Sequence, residues 1–202
     1  MNWTAVELFL LAAVALLGSP GPGIAALVAV TRGEGLRAGL RYYAGLQVGL
    51  ALAAAISAAG LFSLLAAFPT LLRVASIGAV LYLVILAWKI GTAPVEATAR
   101  SQTRASPLSG FVAGGFMLGT TNPKAYLAFV ALMASTTLTG TGASADAALK
   151  WLLCVIVMLV VDIAWVLVGA VLHRATLPPC AERIMNLAFA AAILVAAVTA
   201  LS

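Results

Sequence analysis

Charge is the scarcest commodity in this chain. Of its 202 residues, 8% are charged, where soluble domains average about 25%. So few charges cannot cover so short a chain with a polar surface, which excludes an ordinary soluble globular protein. Histidine is reduced to His173, beside Arg174 and near a helix end, where an interfacial role is expected. Cysteine is reduced to Cys154 and Cys180, neither in a Cys-x-x-Cys nor in a Cys/His cluster. A zinc site or an intrachain disulfide is therefore not expected, and neither is any other metal or cofactor. The net charge of +5 brings no nucleic-acid surface, because the basic residues are scattered singly with no stripe or aromatic platform. The opening "MNWTAVELFL" carries Glu7 but no Lys or Arg. It lacks the basic start of a cleaved signal peptide and reads as a retained first transmembrane helix.

Apolar length is what the chain has in abundance: 64% of residues are hydrophobic and the mean hydropathy is +1.14. A bilayer core of about 30 Å needs roughly 20 apolar residues per helix. Six segments qualify, near 4–30, 40–67, 70–90, 108–136, 148–172 and 183–201. The expected fold is an all-α integral membrane protein with six transmembrane helices. Arg32, Arg37, Arg41, Lys89, Arg100, Arg104, Arg174 and Arg183 fall on one side, against Arg73 and Lys150 on the other. The positive-inside rule makes the richer side cytoplasmic and both termini periplasmic or extracellular. The polar stretch "GTAPVEATARSQTRASPLS" divides the chain into a three-helix repeat over 1–90, a cytoplasmic linker over 91–107 and a second repeat over 108–202. Three helices per half means that the halves enter the membrane from opposite sides, the layout of two inverted repeats.

Two of the six helices contain helix breakers. "LLGSPGPGIAAL" puts Ser19, Pro20, Gly21, Pro22 and Gly23 inside helix 1, and "LGTTNPKAYLAF" puts Asn122, Pro123 and Lys124 inside helix 4. These are the first helices of the two halves, so the breaks fall at corresponding positions, the best sequence pointer to a transporter's binding site. Proline lacks an N–H and clashes with the carbonyl four residues back. In hydrocarbon, freed backbone groups are tolerated only where protein or a water-filled cavity covers them. Freed carbonyls can hold a cation, and the N–H groups opening the next half-helix can hold a carboxylate. An amino acid carries both charges and suits two such breaks. A structural kink is the plainer reading of a single proline.

Two charges lie at membrane depth: Lys124, directly after the second break, and Asp162 in "MLVVDIAWVL". Each costs about 2.5–3.5 kcal/mol to insert and should face a cavity or a partner. Asp162 is the candidate for an ammonium ligand or a coupling proton, and Lys124 for a carboxylate. A purely structural Lys124–Asp162 ion pair is the alternative. Glu7 and Gln47 also lie in apolar helices, Glu7 close to a helix end. Gly35, Gly39, Gly45 and Gly49, with the alanines that follow, give helix 2 a smooth face for close packing, as does "GFVAGG" in helix 4. The same face suits sliding between helices or a homodimer, and the sequence leaves these open.

The motifs together resemble the LysE/RhtB family of amino-acid exporters. Ser19-Pro20-Gly21-Pro22 resembles the family's Pro-Gly-Pro signature, Gly35, Gly39, Gly45 and Gly49 its following glycines, and Asn122-Pro123-Lys124-Ala125 its second signature. The resemblance spans the chain. It implies an exporter of amino acids or related small metabolites in the bacterial inner membrane, driven by the proton motive force. Many members carry Asn or Asp directly after Pro-Gly-Pro, where this chain has Gly23. The expected substrate site is therefore Ser19, Pro20, Gly21, Pro22, Gly23, Asn122, Pro123, Lys124 and Asp162, used by alternating access, with Asp162 as the proton-coupling group. An uncoupled channel or facilitator is the rival. A membrane enzyme would need a nucleophile–base set or a metal cluster at membrane depth, which the sequence does not offer. A membrane scaffold would need no Lys124 or Asp162.

Overall fold

The computed structural model describes residues 1–60, 77, 81, 84–85, 87–88, 91–92, 108–174, 180–181, 183–184, 187–188, 190–191 and 194. Among these residues the chain is all-α, with no strand. Its helices are α1 (Trp3–Gly18), α2 (Pro22–Glu34), α3 (Leu36–Ala58), α4 (Leu108–Thr121), α5 (Pro123–Met133) and α6 (Ala143–Arg174). The segments expected at 70–90 and 183–201, and the linker at 91–107, fall largely outside the described residues. The segment expected at 40–67 starts earlier, at Leu36, and its helix closes at Ala58; 61–67 lie outside the described residues. The segments expected at 4–30 and 108–136 are each two helices rather than one.

Local chemistry explains each boundary. Asn2 caps α1 by accepting the Ala5 N–H at 3.2 Å. The residue before a proline is pushed out of the helical region, and Ser19, Gly21 and Asn122, each followed by proline, are all extended. Pro22 and Pro123 then open α2 and α5 in the first turn, where a missing N–H costs nothing. The axes of α1 and α2 differ by 58°. Gly35 joins α2 to α3 at φ 85° and ψ 173°, backbone space that is essentially glycine's alone, and its N–H closes α2 on the Thr31 carbonyl. Among the described residues α6 is the one helix long and apolar enough to cross a membrane by itself, and α1 with α2 meets the same test as a bent pair.

The core is built on glycine contacts between α3 and α4. A Cβ placed on Gly45 would lie 2.0 Å from the Val112 carbonyl oxygen, and one on Gly49 2.5 Å from that of Phe116. In return, Gly115 and Gly119 face the Tyr42 and Leu46 carbonyl oxygens at 2.1 and 2.6 Å. The two backbones touch, the arrangement that small residues permit in membrane bundles. The smooth face of α3 is thus covered by α4 within the chain. Gly39 and Gly169 give room to Thr31, which is fully buried where α2, α3 and α6 meet. At Gly35 the requirement is conformational, since its nearest neighbour, His173 Nε2, is in ordinary contact at 3.5 Å.

A buried ion pair ties one end of the bundle. Asp146 Oδ2 holds Lys150 Nζ at 3.0 Å, and Asp146 Oδ1 accepts the Leu138 and Thr139 N–H groups at 2.6 and 3.0 Å. Lys150 also donates to the Met133 and Ser135 carbonyls, ending α5. The Asn2 N–H reaches the Leu138 carbonyl at 2.9 Å. The starts of α1 and α6 and the end of α5 are therefore knotted together, and Lys150, counted in the sequence on the side opposite the cytoplasmic loops, is buried in that knot.

The glycine seam yields a stability test. Gly45→Ala and Gly115→Ala each drive a methyl into backbone, which cannot swing aside as a side chain can. Overpacking of this kind costs about 1–3 kcal/mol. Both variants should lower the thermal midpoint of detergent-purified protein. Gly33→Ala and Gly110→Ala, whose added methyls meet nothing within 4 Å, should not.

Candidate functional site

The two helix interruptions face each other. Lys124, in the first turn of α5, sends its side chain to the α1–α2 junction. Its Nζ donates to the Ser19 carbonyl at 2.6 Å, to Ser19 Oγ at 2.7 Å and to the Pro20 carbonyl at 3.2 Å. Ser19 Oγ can accept because its own proton goes back to the Leu16 carbonyl at 2.9 Å. These oxygens cluster at the C-terminal, electronegative end of α1, where a cation is favoured. Three acceptors take three N–H donors, the full complement of an ammonium. Gly21 makes the approach possible: a Cβ there would lie 2.7 Å from Lys124 Cδ and 2.9 Å from Nζ.

Asp162 lies in α6, 4% exposed. Its Oδ2 accepts from Gln47 Nε2 on α3 at 2.6 Å, a charge-assisted length. One turn before it, the Leu159 carbonyl accepts from the Tyr43 hydroxyl at 3.1 Å, a second link between α3 and α6. Lys124 and Asp162 are not paired with each other; each has its own partners. The structural ion pair weighed from the sequence is thus replaced by two separate contacts. Among the described residues, the buried Gln47 Oε1 and Asn122 Oδ1 have no protein partner.

Ser19, Gly21, Gly23, Asn122, Lys124 and Asp162 line one cavity, closed by Leu16, Leu46, Leu50 and Met158. Pro22 is buried beside it and Pro123 is half-buried. The Pro20 ring is exposed, while its carbonyl turns inward to Lys124. The free space is about 40 Å³. One water needs about 10–15 Å³ of such space, so the cavity has room for a few waters. α2 starts at Pro22 after Gly21, with no side-chain cap, which leaves the first N–H groups of the helix, Gly23 among them, without an intrahelical partner. Asn122 Nδ2 sits 3.5 Å from where a Gly23 side chain would begin. The room that Asn or Asp would take at this position is therefore bordered by the second break.

Sequence reasoning missed Gln47 as a site residue; its signal was a lone amide in a helix otherwise rich in small and apolar residues. Glu7 is exposed on α1, away from the cavity. His173 bonds the Arg32 carbonyl at the α2–α3 joint. Among the described residues no group of three His, Cys, Asp or Glu side chains could hold a metal.

The Gln47–Asp162 contact predicts a coupled stability effect. Gln47→Leu removes the buried carboxylate's hydrogen-bond donor and should cost about 1.5–3 kcal/mol. The double variant Gln47→Leu/Asp162→Leu should recover part of that loss, because removing both partners leaves no buried charge. Denaturant or thermal unfolding of the two variants beside the parent checks the sign.

Residues 14–202 match a family model described as LysE type translocator. No curated protein and no solved structure matches the chain at a significant level. The family match takes in both interruptions, the glycine seam, Gln47 and Asp162. The chain therefore belongs to the LysE type translocator family, and with it to the multi-pass membrane proteins that transport small solutes.

Proposed function

We propose that this chain is a secondary active transporter that exports amino acids or related small metabolites across the bacterial inner membrane, coupled to protons, by alternating access. The observation that carries the reading is the meeting of two helix interruptions and a buried carboxylate at one cavity. The two ends of an amino acid find opposite chemistry there. The uncapped start of α2, reached across Gly23, suits a carboxylate. Asp162 suits an ammonium or a proton, and burial beside the apolar side chains of Leu46, Leu50 and Met158 makes it costly to leave the carboxylate uncompensated. Lys124 does not serve as a waiting carboxylate receptor in this conformation, because its donors are engaged.

The packing supports the inverted-repeat reading. In such a repeat the interrupted helix of each half leans on the second helix of the other half. Here α4 and α5 pack on α3, and α1 and α2 pack on α6, with α2 also resting on α3 of its own half. Gln47 and Asp162 then stand on corresponding helices and bond to each other. Rocking one half against the other would open the cavity to either side in turn. Both termini on the periplasmic side, and transport rather than catalysis, complete the proposal.

Efflux from cells preloaded with labelled amino acids tests it. With a proton uncoupler, export by the wild type should collapse. Asp162→Asn, expressed at wild-type level, should lose uncoupler-sensitive export by tenfold or more, an estimate of about 1.4 kcal/mol or more of lost coupling. Uncoupler-resistant efflux would establish a facilitator. Full activity of Asp162→Asn would remove the carboxylate from the mechanism.

A further inference from the structure

The freed carbonyls of a broken membrane helix normally call for a cation. In this chain they already have one. The α1 end presents the Ser19 and Pro20 carbonyls and Ser19 Oγ in one cluster, and all three oxygens accept from Lys124 Nζ. The lysine comes from the other half of the chain, from the residue after Pro123, and it crosses over a glycine. Two independent features therefore converge. The oxygens are arranged around one point, and the chain lacks a Cβ at Gly21, where that atom would collide with Lys124 Cδ and Nζ.

We propose that these oxygens form a monovalent-cation site whose resident is the Lys124 ammonium, a cation tethered to the second interruption. The chain then binds no exchangeable metal ion at this break. The same contact is a latch. For the cavity to widen between α1 and α5, the ammonium must leave the three oxygens, and each must then be met by water or solute. Asp162 does not compete for it, since the carboxylate is held by Gln47. Only the transport consequence of this proposal rests on the export reading; the cation site itself is tested without it.

The test removes the tether and supplies the charge from solution. Lys124→Ala deletes the group whose free equivalent is propylammonium. The purified variant should unfold at a lower temperature than the wild type. Propylammonium or sodium chloride should raise its midpoint in a saturable manner, whereas tetramethylammonium chloride at equal ionic strength, whose methyl shell keeps its charge off the oxygens, should not. The wild type should show no such ion-specific shift. If Lys124→Ala does not fold, Gly21→Ala keeps the lysine but displaces its side chain from the oxygens, and the same ion-specific shift is expected. A variant as stable as the wild type, or one indifferent to all three salts, would overturn the proposal. In proteoliposomes, replacing sodium by choline should leave wild-type export unchanged. A wild type that exports no amino acid would sink the export reading and leave the unfolding result standing.

Discussion

A carbonyl that loses its helical partner within a hydrocarbon layer cannot turn to water, so another part of the protein must meet it. In this chain the contact of Lys124 with the α1 end answers that demand, and much of the architecture follows. Two prolines two residues apart end α1 and tilt α2 away by 58°. The exposed oxygens would be costly facing lipid, so they face inward. A positive charge in the bundle would be equally costly alone. Each liability cancels the other, because the lysine brings three donors to three acceptors. The second proline, Pro123, sets Lys124 at the start of a helix, where its side chain can leave the α5 axis and cross to the first break.

That contact needs the two halves of the chain to interlock closely. The α3–α4 seam provides the closeness. With Gly45 and Gly49 against Gly115 and Gly119, the backbones approach to a distance that side chains would forbid. The seam runs into the second interruption, so it sets the position of Asn122 and, through it, of Lys124. On the other side of α3, Gln47 meets α6 and fixes Asp162. One helix therefore positions both the second interruption and the buried acid. The knot of Asp146 and Lys150 joins the far ends of α1, α5 and α6, so the two halves are tied at one end of the bundle as well as at the cavity.

Much of this was legible in the sequence because it rests on local rules. Proline at 20, 22 and 123 dictates where helices stop whatever surrounds them, and a lysine and an aspartate in apolar segments must be internal. The partners were not legible. Nothing local says that Lys124 reaches Ser19 rather than Asp162, since that choice depends on how α5 and α6 are rotated against α1. Gln47 looked incidental because its meaning depends on the register of α3 against α6. Lys150 entered the sequence reading only as a charge on the side opposite the cytoplasmic loops, and its pairing with Asp146 one turn earlier depends on burial that the sequence does not show. Gly35 read as one more small residue in a row, while its role is a backbone angle that the spacing of glycines cannot reveal.

The pattern of used and unused hydrogen-bonding groups shows which polar atoms the protein leaves unmet around Asp162 and Asn122. Lys124 has no donor to spare. Gln47 Oε1 and Asn122 Oδ1 are buried acceptors without a protein partner among the described residues, and a buried unmet acceptor costs about 1–3 kcal/mol. Asp162 uses one oxygen for Gln47. The uncapped start of α2 is the donor side of the same cavity. Asn122, and Gly23 at the start of α2, line the cavity, whereas Gln47 reaches it only through its bond to Asp162. On the export reading proposed above, a zwitterion would answer both the donors of α2 and the acceptor at Asn122, and its hydrogen bonds would offset the loss of the Lys124 contact.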